Sequence, residues 1–174
     1  MNYLSATAIN MQSPYKIKIM EDGRIEFHTD YGVHYGVEFV VDDTLLSRTA
    51  YHLNIVNANH KKSPNDPKVK DTIIYIIDEF FKQNNTTLLY ICDTGDNKQS
   101  MRSRLFERWF ETYEKRWSFT FLSSSLLDED NNINYAAIIL RNDNPYLKEI
   151  VSEFLETIEL LGNKPENGCK ISEY

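Results

Sequence analysis

"LLYICDTGDNKQSMRSRLFERWF", residues Leu88 to Phe110, joins a continuous apolar run to an amphipathic stretch through a short polar turn. Thr87 to Cys92 shows no alternation of apolar and polar residues, which favours an interior strand covered on both faces. The residues from about Lys98 to Lys115 then repeat their apolar side chains at helical spacing. The stretch therefore predicts a strand, a turn and a helix at the centre of an α/β sheet.

A second helix is predicted upstream of this strand. Asp66-Pro67 is a typical helix start, because Asp accepts bonds from free amides and Pro fits the first helical position without losing a bond. At about 100° per residue the apolar side chains up to Gln83 form one broad arc, as expected of a helix lying flat on a sheet. The arc consists of Val69, Ile73, Ile74, Ile76, Ile77, Phe80 and Phe81.

Alternating stretches on either side of these elements predict further strands. Asp22-Gly23 suits a tight hairpin turn, so the chain is expected to begin as an antiparallel meander. The four expected strands of this meander are 15–19, 24–29, 33–41 and 51–58. After the second helix, SFTFLSSSLL and YAAIILR are expected to pair antiparallel around a polar loop, and a last helix starts at Asn144-Pro145 and stops before Gly162.

These elements predict one α/β (α+β) domain over residues 15–162. Its sheet is mixed, mostly antiparallel and of about seven strands, with three main helices around it. Residues 1–14 are expected to form an irregular lead and residues 163–174 a flexible tail.

Composition argues against several classes of function. The chain has 174 residues and a net charge of -7, which repels polyphosphate backbones and anionic lipid, so neither nucleic acid nor a membrane is an expected partner. The opening MNYLSATAINMQSPY lacks the features of a secretory signal, and no apolar run approaches the roughly 20 residues that cross a bilayer, so a cytoplasmic protein is expected. Without CxxC or HExxH spacing no metal site is predicted.

The turn after the central strand is the candidate site. Ligands of open α/β sheets bind beyond the carboxyl ends of strands, where the free amides of the next helix also converge. The candidate residues here are Asp93, Asp96, Lys98, Gln99 and Arg102.

Arg102 falls inside the predicted buried arc of the helix, which also contains Met101, Leu105, Phe106, Trp109, Phe110 and Tyr113. A charge on a buried face needs a partner, since its desolvation costs several kcal/mol. Two interpretations stay open: a clamp to Asp93 or Asp96, or, together with Lys98, a receptor for a small anionic ligand.

The remaining reactive side chains have simpler explanations. Arg104 and Arg108 lie on the outer side of the helix with Glu107 and Glu111, where surface ion pairs are expected. Cys92 is expected to pack inside its strand rather than to react. GxSxG, GxGxxG and GxxxxGK[ST] are all missing, so no nucleophile elbow or nucleotide-phosphate loop is indicated and no cofactor is predicted.

DPKVKDTIIYIIDEFF followed by LLYICDTGDNKQSMRSRLFERWF resembles the signature region of a family of small bacterial proteins known only as a domain of unknown function. The resemblance covers roughly residues 15–160 and implies no activity. The family positions that stand out, without assigned roles, are Asp66, Cys92, Asp93, Asp96, Gln99, Arg102, Arg104 and Trp109.

The order of elements also resembles the later part of the acyl-CoA-dependent N-acetyltransferase fold. That resemblance implies a coenzyme pyrophosphate at the helix after the fourth strand, held by an R/Q-x-x-G-x-G/A loop. The matching place here reads SPNDPKVKDT, which has no glycine and adds the charges of Asp66 and Asp71. Two hypotheses follow: a non-catalytic binding or regulatory module with a protein partner, and an acetyltransferase-like or other small-ligand enzyme.

Overall fold

The computed structural model describes residues 1–42, 46–92, 98–127, 133–161 and 170–171. The helices of these residues are α1 (Ala6–Gln12), α2 (Pro67–Gln83), α3 (Gln99–Glu111) and α4 (Leu147–Leu161), with a 3-10 turn at Arg116–Ser118. The strands are β1 (Ile17–Ile19), β2 (Ile25–His28), β3 (His34–Asp42), β4 (Ala50–Asn57), β5 (Thr87–Cys92), β6 (Phe119–Leu127), β7 (Ile133–Arg141) and β8 (Lys170–Ile171).

The hydrogen-bonded strand order is β1-β2-β3-β4-β5-β7-β6-β8. β4 and β5 pair in parallel over Ala50–His52 and Thr87–Leu89. The other pairings of described register are antiparallel. The predicted fold class, an α+β arrangement with a mixed and mostly antiparallel sheet, is confirmed.

The chain divides into two compact units. Unit 1 contains Met1–Val40 and Leu53–Asn85, and unit 2 contains Val41–His52 and Thr86–Tyr174. β3 and β4 each contribute residues to both units. The single domain expected over residues 15–162 stays a prediction.

Unit 1 contains the predicted hairpin between β1 and β2. Ile19 pairs with Ile25 across it. Gly23 takes the positive φ of +87° that its turn requires, and the Asp22 carboxylate accepts a bond from the Arg24 amide. α2 starts at Pro67 as predicted and buries its apolar arc around Phe80, whose ring stacks on that of Phe39 at 4.5 Å.

The irregular lead predicted for residues 1–14 is wrong. The Ser5 hydroxyl accepts a bond from the Ala8 amide and opens α1, which buries Ile9. A helix of two turns with one buried apolar residue is too short to show a periodic apolar face in its sequence. Only the serine cap could have indicated this helix. In the predicted flexible tail, Lys170–Ile171 instead form β8 beside β6, and the tail's other residues lie outside the described ranges.

Unit 2 places helices on both faces of its strands. α4 packs on the face of Leu89 and Ile138, and its own Phe154 is fully buried there. α3 packs on the opposite face, where Phe106 stacks on Tyr90 at 4.1 Å. The interior strand predicted from the unbroken apolar run is therefore confirmed, because β5 is covered on both faces.

Candidate functional site

The carboxyl end of β5 meets the first turns of α3 through three polar side chains. Tyr90 and Cys92 project from the same face of β5, as residues two apart on a strand do. The Tyr90 hydroxyl and the Cys92 thiol are close enough to affect each other's pKa, and the charge of the Arg102 guanidinium acts on the pKa of both groups. We call these three residues the Tyr–Cys–Arg cluster.

Burial controls the ionisation of this cluster. Burial raises the pKa of the Cys92 thiol, and the interaction with Tyr90 and the charge of Arg102 only partly oppose this rise. Burial also raises the pKa of Tyr90, with a smaller opposing contribution from Arg102. Because the thiolate is the nucleophilic form of cysteine, a thiol held neutral and 2% exposed is poorly suited to covalent catalysis.

The structure describes only some of the predicted turn residues. Asp93 and Asp96 lie outside the described residues. Lys98 is the exposed N-cap of α3 and makes no capping bond with its side chain. Gln99 donates a bond from Nε2 to the Ile133 carbonyl at 3.3 Å, while its buried Oε1 has no hydrogen-bond partner among the described residues. Arg102 is half-buried, and the choice between clamp and ligand site stays a prediction.

The predicted buried arc of α3 is wrong at two positions. Phe106 and Phe110 are buried, but Met101 is 64% exposed and Leu105 is 44% exposed. The apolar residues of α3 form two neighbouring rows, Met101 with Leu105 and Phe106 with Phe110. Only the row that contains Phe106 contacts the sheet. Trp109 lies between the two rows, half-buried, with its ring 6.4 Å from that of Phe106.

The predicted ion pairs on the outer side of α3 are also wrong. The Arg104 guanidinium bonds instead to the carbonyl and hydroxyl of Ser100, at 3.2 and 3.1 Å. Arg108 is exposed and, like Arg104, makes no ion pair within the described part of the chain.

The exposed face of α3 therefore has a defined pattern, which we call the α3 stripe: Met101, Arg104, Leu105 and Arg108. These positions are spaced i, i+3, i+4 and i+7, so their side chains adjoin on one side of the helix. Sequence reasoning missed the stripe because it assigned both apolar residues to the core. The available signal was charge: six of the chain's 19 Lys and Arg, against three of its 26 Asp and Glu, fall between residues 98 and 118.

The start of α2, where the acetyltransferase resemblance implies a pyrophosphate, is occupied by a carboxylate. Asp66 accepts a bond from the Lys68 amide at 3.0 Å and one from the Tyr15 hydroxyl at 2.7 Å. Burial, followed by the bond to Asp66, raises the pKa of Tyr15 to about 12. A helix N-terminus attracts phosphate through its free amides, so a fixed negative group at that end does not fit the coenzyme.

Two of the four histidines, His28 and His34, have local side-chain partners, and His52 is partly buried. The rings of His28 and His34 stack at 4.2 Å across the β2–β3 pair, and His34 Nε2 lies 3.1 Å from Glu26. Burial lowers the pKa of His52, and the charge of Asp42 partly opposes this. Within the described residues no group of three His, Cys, Asp or Glu side chains is arranged to hold a metal ion.

None of the helices in the described ranges combines the length and the apolar character that crossing a bilayer requires. No curated protein and no solved structure matches the chain. One family model matches residues 65–156, from the start of α2 to within α4. This region is narrower than the resemblance drawn from the sequence but contains both of its signature stretches, and it spans more than half of the 174 residues. The chain belongs to DUF6169, a family of unknown function.

Proposed function

We propose that the protein is a non-catalytic binding module that contacts a protein partner through the α3 stripe. The observation that carries the proposal is the exposure of Met101 and Leu105 on a helix whose two phenylalanines, Phe106 and Phe110, are buried. The exposed Met101 and Leu105 lie one helical turn apart and are flanked by arginines, and methionine and arginine are both enriched in protein interfaces.

The chemistry of the described side chains supports binding over catalysis. Cys92 is held as a buried neutral thiol, and no described histidine is hydrogen-bonded to a nucleophile. The spacing of the α3 stripe is also the pattern with which a helix presents anchors to the groove of a partner.

A second candidate is a small-ligand enzyme with acetyltransferase-like element order. The parallel β4–β5 pair supports it, as does the polar Tyr–Cys–Arg cluster at the carboxyl end of β5. The carboxylate of Asp66 at the start of α2 weakens it. Saturable heat on titration with acyl-CoAs or nucleotides would favour this candidate over the binding module.

A site-specific photocrosslinker tests the binding module. We expect Leu105→p-benzoylphenylalanine to give a discrete covalent adduct in cells that express the protein, because residue 105 is at the centre of the α3 stripe. Adding Met101→Glu should reduce the adduct yield at least about tenfold, since it places a charge in a contact that excludes water.

The matched control is Met11→p-benzoylphenylalanine, because Met11 is a large apolar residue of α1 that is 81% exposed. Position 11 should give no adduct of the same mass. Equal adducts from both positions, or an adduct from 105 that survives Met101→Glu, would contradict the proposal.

A further inference from the structure

The charges that border the apolar residues of the α3 stripe carry information about its partner. Arg104 and Arg108 are four residues apart, so their guanidinium groups repel one another along the helix. Arg104 bonds only to uncharged oxygens of Ser100, and Arg108 is exposed. The two positive charges of the stripe are therefore left uncompensated by the described carboxylates of the chain.

The surroundings make this local charge unusual. The chain carries a net charge of -7, yet residues 98–118 contain six Lys or Arg against three Glu. The net negative charge of the chain repels acidic partners, so such a partner is favoured beside a local excess of positive charge, as in this segment.

We propose that the partner of the α3 stripe is an acidic amphipathic helix of another protein. This inference rests on the binding module proposed above. The apolar side of that helix covers Met101 and Leu105, while its Asp and Glu side chains accept charge-assisted hydrogen bonds from Arg104 and Arg108. Arginine suits this position because its planar guanidinium pairs with a carboxylate through two parallel bonds.

Two other occupants fit the structure less well. Nucleic acid binds mainly through its charged phosphate backbone, which offers no apolar side to cover Met101 and Leu105. A second copy of the chain could present its acidic α4, but the carboxylates of Glu149 and Glu153 on that helix are already bonded to Arg48 and Ser47.

The test is a selection of random 16-residue peptides on phage against the full chain, followed by affinity measurements on the selected peptides. We expect peptides rich in Asp and Glu with apolar residues at helical spacing. Arg104→Glu with Arg108→Glu should weaken their binding at least about tenfold, with a much smaller dependence on salt than the unmodified chain shows.

Lys18→Glu with Lys62→Glu is the matched control, since it makes the same change of net charge at two exposed lysines of unit 1. This control should leave the affinity within about twofold. Equal losses from the two double variants would mean that total charge, rather than the stripe, governs binding, and would overturn the inference.

The remaining outcomes separate this inference from the function on which it rests. Peptides that depend on Met101 and Leu105 but are neutral or basic would overturn the acidic partner and leave the binding module standing. Selected peptides that are all indifferent to both apolar residues, or an empty selection, would overturn both. Tight binding of a uridine homopolymer, or self-association lost on Met101→Glu in sedimentation velocity, would replace the acidic helix with that occupant.

Discussion

Arg102 is the residue whose setting is most informative, because it shares one face of α3 with Phe106 and approaches two buried polar groups. Its positive charge favours the ionised forms of Tyr90 and Cys92, but burial outweighs that effect and both pKa values stay raised. A half-buried guanidinium in this setting contributes through the packing of its stem as well as through charge. This favours the clamp over the ligand site as our proposal for its role.

Replacing Arg102 by Ala tests that role. We expect Arg102→Ala to lower the free energy of unfolding by about 1–3 kcal/mol, because partly buried polar groups lose a neighbour and the stem leaves a gap. Arg108→Ala is the matched control on the exposed side of α3 and should change the free energy of unfolding by less than about 0.5 kcal/mol. Urea denaturation measures both. A neutral Arg102→Ala that abolishes binding of a small anion would establish the ligand site instead.

At the scale of elements, α2 and α3 differ in how their sequences specify them. α2 has one apolar arc, a proline at its first position and an aspartate cap. α3 has no side-chain cap bond, and its apolar residues form two rows, of which only the row with Phe106 and Phe110 is buried. The folding free energy of α2 therefore depends on local signals and core contacts together, whereas that of α3 depends mainly on the stacking of Phe106 and Phe110 against Tyr90 and Phe121.

The cap of α2 gives a prediction at this scale. Asp66→Ala removes the acceptor of both the Lys68 amide and the Tyr15 hydroxyl, so the free energy of unfolding should fall by about 1–2 kcal/mol. Asp66→Asn keeps an acceptor oxygen at the cap and should cost less than about 0.5 kcal/mol. Both are measurable by urea denaturation. If Asn proves as damaging as Ala, the negative charge rather than the hydrogen bonds is what stabilises this helix start.

At the scale of the molecule, the two compact units share two strands. Part of β3 and part of β4 belong to each unit, so neither unit contains these two strands in full. We therefore expect the chain to unfold as one cooperative domain, as the sequence predicts for residues 15–162.

Core truncations in each unit test this cooperativity. Phe80 in unit 1 and Phe154 in unit 2 are both fully buried, and changing either to Ala should cost about 3–5 kcal/mol. With one domain, far-ultraviolet circular dichroism and tryptophan fluorescence should report coincident transitions in both variants. Trp109 and Trp117 both lie in unit 2. A circular dichroism transition that precedes the fluorescence transition in Phe80→Ala would show that unit 1 unfolds separately.

The sequence by itself determined the elements with strong local signals: the Asp22-Gly23 hairpin, the bounds of α2 and the interior position of β5. In each case the signal acts within a few residues, through a turn glycine, a capping side chain or an unbroken apolar run. α1 was not predicted, because its capping serine is not followed by a periodic apolar face.

Only the tertiary structure decided which apolar side chains of α3 are covered. Periodicity indicates which residues share a face of a helix, but burial requires another element at van der Waals distance. The sheet contacts Phe106 and Phe110, whereas Met101 and Leu105 remain exposed to solvent. The same dependence on distant contacts applies to the cluster of Tyr90, Cys92 and Arg102. The sequence therefore contains the residue pattern of the α3 stripe. The stripe is a candidate surface only because nothing described in the fold covers it.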